Sequence, residues 1–188
     1  MKNLWEVWSN AFSPEYCDYI INKAKQRPAN DATVGFDSNA NPLHSYRSST
    51  IRWMSGMSGA DSDVAASLMK LIKKSNRNNF GFDITDMNEI QFTEYHGSSK
   101  GKYDWHHDVF FENPMPFDRK LSIVVQLSDP KDYTGGDFEF HNMQSPGAEF
   151  KSRGSVLIFP SFFPHRVLPV TDGDRYSLVS WIEGPKWR

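Results

Sequence analysis

His106, Asp108 and His165 are the residues of this chain whose types and order could hold a metal ion. In Tyr103-Asp104-Trp105-His106-His107-Asp108, strand alternation puts His106 and Asp108 on one face and His107 on the other. A His-x-Asp pair alone is a weak signal, because a chain with six histidines and an ordinary load of aspartates produces such pairs by chance. A third donor, His165, follows the apolar run 155–159 and the turn 160–164. Bringing it to the pair closes a long loop, but the entropic cost of closure rises only slowly with length. Two imidazoles and one carboxylate on one side of a metal leave positions open, which suits a non-haem iron(II) that must also take a cosubstrate and O2. Zinc held by the same donors, activating a water for hydrolysis, is the competing reading. It needs a general base that the sequence does not supply.

Arg175 bears on that choice. In Arg175-Tyr176-Ser177-Leu178-Val179-Ser180-Trp181-Ile182 it shares a strand face with Ser177, Val179 and Trp181. Arginine is almost never buried unless paired. Spacing alone favours a protein carboxylate as its partner. The functional alternative is the far carboxylate of a small dicarboxylic acid, gripped by two parallel hydrogen bonds, for which a hydrolase has no need.

These residues must be positioned by the rest of the chain. Ser13-Pro14-Glu15 reads as an N-cap, an N1 proline and a first-turn acid, opening a helix to about Lys25. A second helix is expected over 61–76, with Val64, Leu68, Leu71 and Ile72 as its buried stripe and Asn78 and Gly81 at its end. Between them, residues 28–49 carry no apolar period and read as a long loop, with a short strand after it at 49–54. From residue 89 the pattern changes to short strands between turn residues: 89–95, 103–108, 121–127, 137–140, 148–151, 155–159, 166–170 and 175–182. Helices first and strands second predict an α+β fold, mainly β, with the helices covering one sheet.

Composition closes off several classes. At 188 residues the chain fits a single domain, which for this size buries about 70% of the surface its unfolded form exposes. Residues 1–85 are expected to be helical support and loop, and 86–185 the β core. A formal charge of −2, from 21 basic and 23 acidic residues, leaves no electrostatic footprint for nucleic acid or an anionic membrane. Cys17 is the only cysteine, so neither an internal disulfide nor a cysteine-ligated metal is available. No run approaches the roughly 20 apolar residues of a membrane span, and the start MKNLWEVWSN lacks the apolar stretch of a signal peptide. A soluble, cytoplasmic protein is expected.

The sequence resembles the prolyl-4-hydroxylase-like group of iron(II) and 2-oxoglutarate-dependent dioxygenases. The resemblance rests on Gln91-Phe92-Thr93-Glu94-Tyr95, Gly101 through Asp108, Arg119-Lys120-Leu121-Ser122, Leu127-Ser128-Asp129-Pro130, Tyr133 through Phe138, Gly154 through Ser161, and His165 through Arg175. It covers about residues 89–183. It implies a double-stranded β-helix, or jelly roll, with helices packed on one sheet. By the same resemblance His106, Asp108 and His165 are iron ligands and Arg175 binds the far carboxylate of 2-oxoglutarate. Tyr95 matches a tyrosine that helps hold this cosubstrate, with a core aromatic as its plain alternative. Gln126 stands where some members carry a second such tyrosine. Iron(II), 2-oxoglutarate and O2 are therefore the implied cofactor and cosubstrates, with ascorbate as an accessory reductant. The carboxylate of Asp108 fills a position that halogenases of the family leave to chloride, so hydroxylation is the implied outcome.

Substrate residues are less defined. Trp105, Phe110 and Phe111 flank the metal pair and could form a substrate wall, while Tyr46, Arg47 and Arg52 sit in or beside the long loop. Core aromatics and surface charge are their simpler readings. A prolyl residue in a peptide or protein is the substrate class the resemblance points to, against a free amino acid or small metabolite. A jelly-roll binding module without turnover is the competing class, and retention of the triad and arginine argues against it.

Overall fold

A computed structural model describes residues 1–32, 45–112 and 114–188. Its elements run β1 (Glu6–Trp8), α1 (Pro14–Lys25), β2 (Asn30–Asp31), β3 (Arg47–Ser48), β4 (Thr50–Ser55), α2 (Ser62–Ser75), β5 (Glu89–His96), β6 (Lys102–His106) and β7 (Phe117–Gln126). They continue β8 (Tyr133–Gly135), β9 (Phe138–Phe140), α3 (Gly147–Lys151), β10 (Val156–Pro160), β11 (His165–Val167) and β12 (Val170–Pro185). Among the described residues, one large antiparallel sheet has the order β1-β10-β7-β12-β5-β4-β2, with β8 joined to β12, and a smaller sheet has the order β3-β6-β11-β9.

Alternation along the central strands makes two cores. Ile90 and Phe92 of β5, Leu121, Ile123 and Val125 of β7, Val156 and Ile158 of β10, and Leu178 and Ile182 of β12 meet Cys17, Ile20, Val64, Leu68 and Ile72 of the helices. The residues between them point the other way. There Tyr95, Val124, Leu157 and Phe159 pack with Phe138, Phe140 and Val167 of the smaller sheet. Burial of this double-sided kind explains why Ile123-Val124-Val125 of β7 are apolar on both faces. The helices form as their signals dictate: the Ser13 hydroxyl caps α1 by accepting from the Tyr16 N–H at 3.3 Å. α2 ends in a widened turn, Asn76–Phe80, stopped by Gly81 at φ 70°.

Three expectations are corrected. Residues 147–151 form a helical turn, not a strand; a single turn after Pro146 suffices to bury Phe150, and four residues of alternation fit either form. The region before residue 86, expected to be helical support and loop with a strand at 49–54, supplies that strand as β4 and adds β1 and β2 to the large sheet and β3 to the small one. β1 and β8 were absent from the expected strands, being only three residues each. The loop expected over 28–49 falls largely on residues 33–44, outside the described residues, and its described ends carry β2 and β3.

Candidate metal and cosubstrate site

The smaller sheet supplies the donors. His106 is the last residue of β6 and pairs directly with His165, the first of β11. Asp108 lies two residues beyond the end of β6, where its N–H donates to the Ser161 carbonyl at 2.8 Å. A ligand atom from each of the three lies within 4.8 Å of the others. Asp108 Oδ1 is 3.8 Å from His106 Nε2, and Oδ2 is 3.7 Å from His165 Nε2. Each ring is oriented by its other nitrogen: His106 Nδ1–H donates to the Asp104 carbonyl at 2.7 Å and His165 Nδ1–H to the Phe163 carbonyl at 2.9 Å. Both Nε2 atoms are left as acceptors, the state a metal requires.

Electrostatics set the same protonation at His106. Burial, and then the neighbouring imidazole of His165, push His106 down to about 3, so the ring is neutral at ordinary pH. Burial alone would raise Asp108, but its polar neighbours, among them the hydrogen bond from Ser122, outweigh it and hold the carboxyl below its usual range. The ring of His106 stacks on Tyr103 at 3.5 Å, and that of His165 lies between Phe138 and Phe159 at 5.3 and 4.8 Å.

The large sheet forms the opposite wall of a cavity of about 300 Å3 between the sheets. Arg175, Ser177, Val179 and Trp181 of β12 all line it, as the shared strand face predicts, together with Tyr95, Gln91, Val124, Arg47, Phe110 and Arg119. Arg175 is 1% exposed. Its guanidinium lies 5.3 Å from the ring of Tyr95, directly across the strand pair. Its Nε and Nη1 have no hydrogen-bond partner, and no carboxylate pairs with it among the described residues. A buried guanidinium without an anion is costly. It therefore fits a carboxylate brought by a ligand, and the donor set of His, Asp and His fits iron(II).

The remaining expected residues divide. Arg47 and Phe110 line the cavity, and the Arg47 guanidinium lies 4.3 Å from the Tyr103 ring. Trp105 does not line it: it stands on the far face of β6, 4.4 Å from the Arg166 guanidinium and 5.0 Å from His141, so the expected substrate wall excludes it. Gln126 also turns away, donating to the Tyr133 hydroxyl at 2.7 Å and lining a separate cavity of about 180 Å3 that Arg175 shares. Tyr103 went unrecognised because strict alternation sets it opposite His106. A β-bulge corrects this: His165 pairs with His106 but Val167 with Tyr103, so β6 holds an extra residue and the two rings reach one face. Ser122 and Ser161 carried no signal of their own.

Two imidazoles, one carboxylate and a buried guanidinium thus face one cavity, an arrangement that could hold a metal beside an acidic ligand. The chain belongs to the 2OG-Fe(II) oxygenase superfamily, whose family model matches residues 90–183, half of its length. It is 40% identical over 63 residues to a PKHD-type hydroxylase of Hyphomonas neptunium, covering 34% of this chain and 28% of that one. A PKHD-type hydroxylase of Synechococcus sp. strain CC9605 is 40% identical over 90 residues, covering 46% and 39% respectively. The match thus spans well under half the length of these relatives. The fold is similar to that of a Trichoplax adhaerens prolyl hydroxylase solved with a hypoxia-inducible-factor peptide, with a TM-score of 0.73 at 18% identity, covering 96% of this chain and 83% of that one. A Pseudomonas putida prolyl-4-hydroxylase gives 0.67 at 20% identity, covering 95% and 91%. No helix among the described residues is long and apolar enough to cross a membrane.

Proposed function

We propose that this oxygenase hydroxylates a C–H bond of a prolyl residue in a peptide or protein, with His106, Asp108 and His165 as iron ligands and Arg175 as the anchor of 2-oxoglutarate. The observation that carries this reading is the buried Arg175, whose Nε and Nη1 have no hydrogen-bond partner among the described residues, on the same cavity as the three donors. When bound, iron(II) and 2-oxoglutarate supply an oxidant from O2, with decarboxylation to succinate and CO2. The chain's own residues bind, orient and exclude water. Arg175 holds the far carboxylate through two parallel N–H donors, and Tyr95 stands across from it as a second wall. The apolar surfaces of Phe138, Val124, Val167 and Val179 keep the space beside the donors dry.

A cavity of about 300 Å3 is at the small end for a ligand site and has to hold the cosubstrate as well. A substrate of peptide size then inserts one side chain and leaves the rest outside. Trp53, 40% exposed and 6.3 Å from Trp181, offers an aromatic surface on the cavity lining for the inserted group's neighbours. Residues 1–188 serve this reaction as one domain.

The test is succinate production by anaerobically iron-loaded protein given 2-oxoglutarate and O2, with proline-containing peptides scored for a gain of 16 Da. His106→Ala and Asp108→Ala should both abolish it. No succinate from the wild type over a broad panel of peptides and amino acids would favour a binding module instead. Hydroxylation of free amino acids alone would replace the peptide assignment.

A further inference from the structure

Ser122 and Ser161 are fully buried between the sheets and make a hydroxyl chain that ends on Asp108. Ser122 Oγ lies 2.6 Å from Asp108 Oδ2 and 3.0 Å from Ser161 Oγ. The direction of this chain follows from proton counting. An ionised carboxylate can only accept, so Ser122 must give its one proton to Oδ2, and Ser161 must then give its own to Ser122. Such a chain polarises each link and strengthens the bond to the carboxylate. Ser161 also holds the backbone of Asp108, accepting its N–H at 2.8 Å, and is itself fixed by its N–H to the Lys120 carbonyl at 3.0 Å. Ser122 sits on β7 opposite Phe159 of β10, so both hydroxyls are set by the register of the large sheet while the carboxylate belongs to the end of a strand in the small one.

Oδ2 is thereby committed, and Oδ1 has no hydrogen-bond donor among the described residues. A carboxylate can bind a metal through one oxygen or through both. We infer that Ser122 is a positioning residue that withholds Oδ2, so that Asp108 offers iron one oxygen and leaves the cosubstrate's place free. Ser161 supports it by supplying the second proton. This inference rests on the functional reading above.

Removing the hydroxyl has a distinctive signature. In Ser122→Ala, Oδ2 is released and can join Oδ1 as a donor, so iron(II) binding should be unchanged or tighter. 2-Oxoglutarate binding to the iron-loaded protein should weaken by about tenfold, within the range typical for groups that orient metal ligands. The visible charge-transfer band that appears when 2-oxoglutarate joins iron(II) should fall at a cosubstrate concentration that saturates the wild type. Ser122→Thr keeps the hydroxyl and should restore both affinity and band, and Ser161→Ala should show a smaller loss in the same direction. A purely structural role would weaken iron and cosubstrate together, and that outcome overturns the inference. So does a Ser122→Ala protein with wild-type iron and 2-oxoglutarate binding. Thermal melts of the metal-free variants establish that each is folded before titration. If the iron-loaded wild type itself gives no band and no 2-oxoglutarate binding, the functional reading fails and the inference with it. A normal wild type beside an unaltered variant overturns the inference alone.

Discussion

Replacing Arg175 with methionine should make the metal-free protein more stable, although Arg175 is among the largest fully buried side chains. The residue is 1% exposed, with two of its guanidinium nitrogens unpartnered among the described residues. Exchanging even a buried ion pair for well-packed apolar side chains is neutral or stabilising by about 1–4 kcal/mol, and a buried charge with no ion-pair partner among the described residues has less Coulombic attraction to lose. Against this stands the loss of the cation–π contact with Tyr95, 5.3 Å away, which is worth about 0.5–2 kcal/mol. The balance is about 1.5 kcal/mol in favour of methionine, or roughly 3–6 °C in Tm for a domain of this size. The cosubstrate reverses the order. With iron(II) under argon and 2-oxoglutarate at about 100 times its Kd, the wild type should gain about 2.7 kcal/mol, or roughly 5–11 °C. Truncating one partner of a buried charge pair costs about 2–5 kcal/mol, so the variant should gain no more than about 2–4 °C at the same concentration. Differential scanning fluorimetry in the four conditions reads both signs. A metal-free variant that melts more than about 5 °C below the wild type would show that the guanidinium is a structural strut. An equal 2-oxoglutarate shift in both proteins would remove Arg175 from the cosubstrate site.

Two further outcomes concern residues outside the cavity. Trp105→Ala should change kcat/KM and 2-oxoglutarate affinity by no more than about twofold, because the ring stands outside the cavity against Arg166 and His141; steady-state kinetics check this, and a tenfold loss would return Trp105 to the substrate wall. Asp61 is fully buried and accepts from Arg27 Nη2 at 2.9 Å and from the N–H and hydroxyl of Ser55 at 2.8 and 3.0 Å. Burial opposes its ionisation, but these donors prevail and lower its pKa. Its stabilising effect is therefore complete above the unfolded value of about 3.9 and is lost as pH falls through the folded value. Asp61→Asn should cost about 1.5–3 kcal/mol at pH 7, with the gap closing in acid, as read by urea unfolding at both pH values. A gap that does not depend on pH would show that the ion is not what stabilises this corner.

The order and types of the principal elements were legible because each carries its own periodicity. α1 has a hydroxyl cap and an N1 proline, α2 a regular stripe, and β5, β7, β10 and β12 a two-residue repeat whose two faces are both buried. What periodicity cannot carry is pairing. The bulge in β6 that brings Tyr103 onto His106 is a property of two strands together, and so is the approach of Ser122 to Asp108. Short elements such as β1 and β8 hold too few residues for any repeat to show. The face shared by Arg175, Ser177, Val179 and Trp181 was readable from one strand, but the absence of a carboxylate beside the arginine depends on every neighbour that might have supplied one.

β12 runs for sixteen residues and pairs with β5, β7 and β8, with its one break in register against β7 lying between Ile182 and Glu183, beyond Arg175 and Trp181. Between those two side chains the address of the arginine and the integrity of the helix-facing core are one and the same count. Deleting or inserting a single residue there would put the two flanks out of phase, so that either Arg175 turns toward the helices or the residues beyond the slip exchange their core and cavity faces. Drift in this stretch is thus confined to replacement of one residue by another, and changes of length must fall in the turns on either side. A lineage that lost its cosubstrate by slippage would lose its fold in the same step; one that lost it by substitution at Arg175 would keep a sound jelly roll with nothing to oxidise.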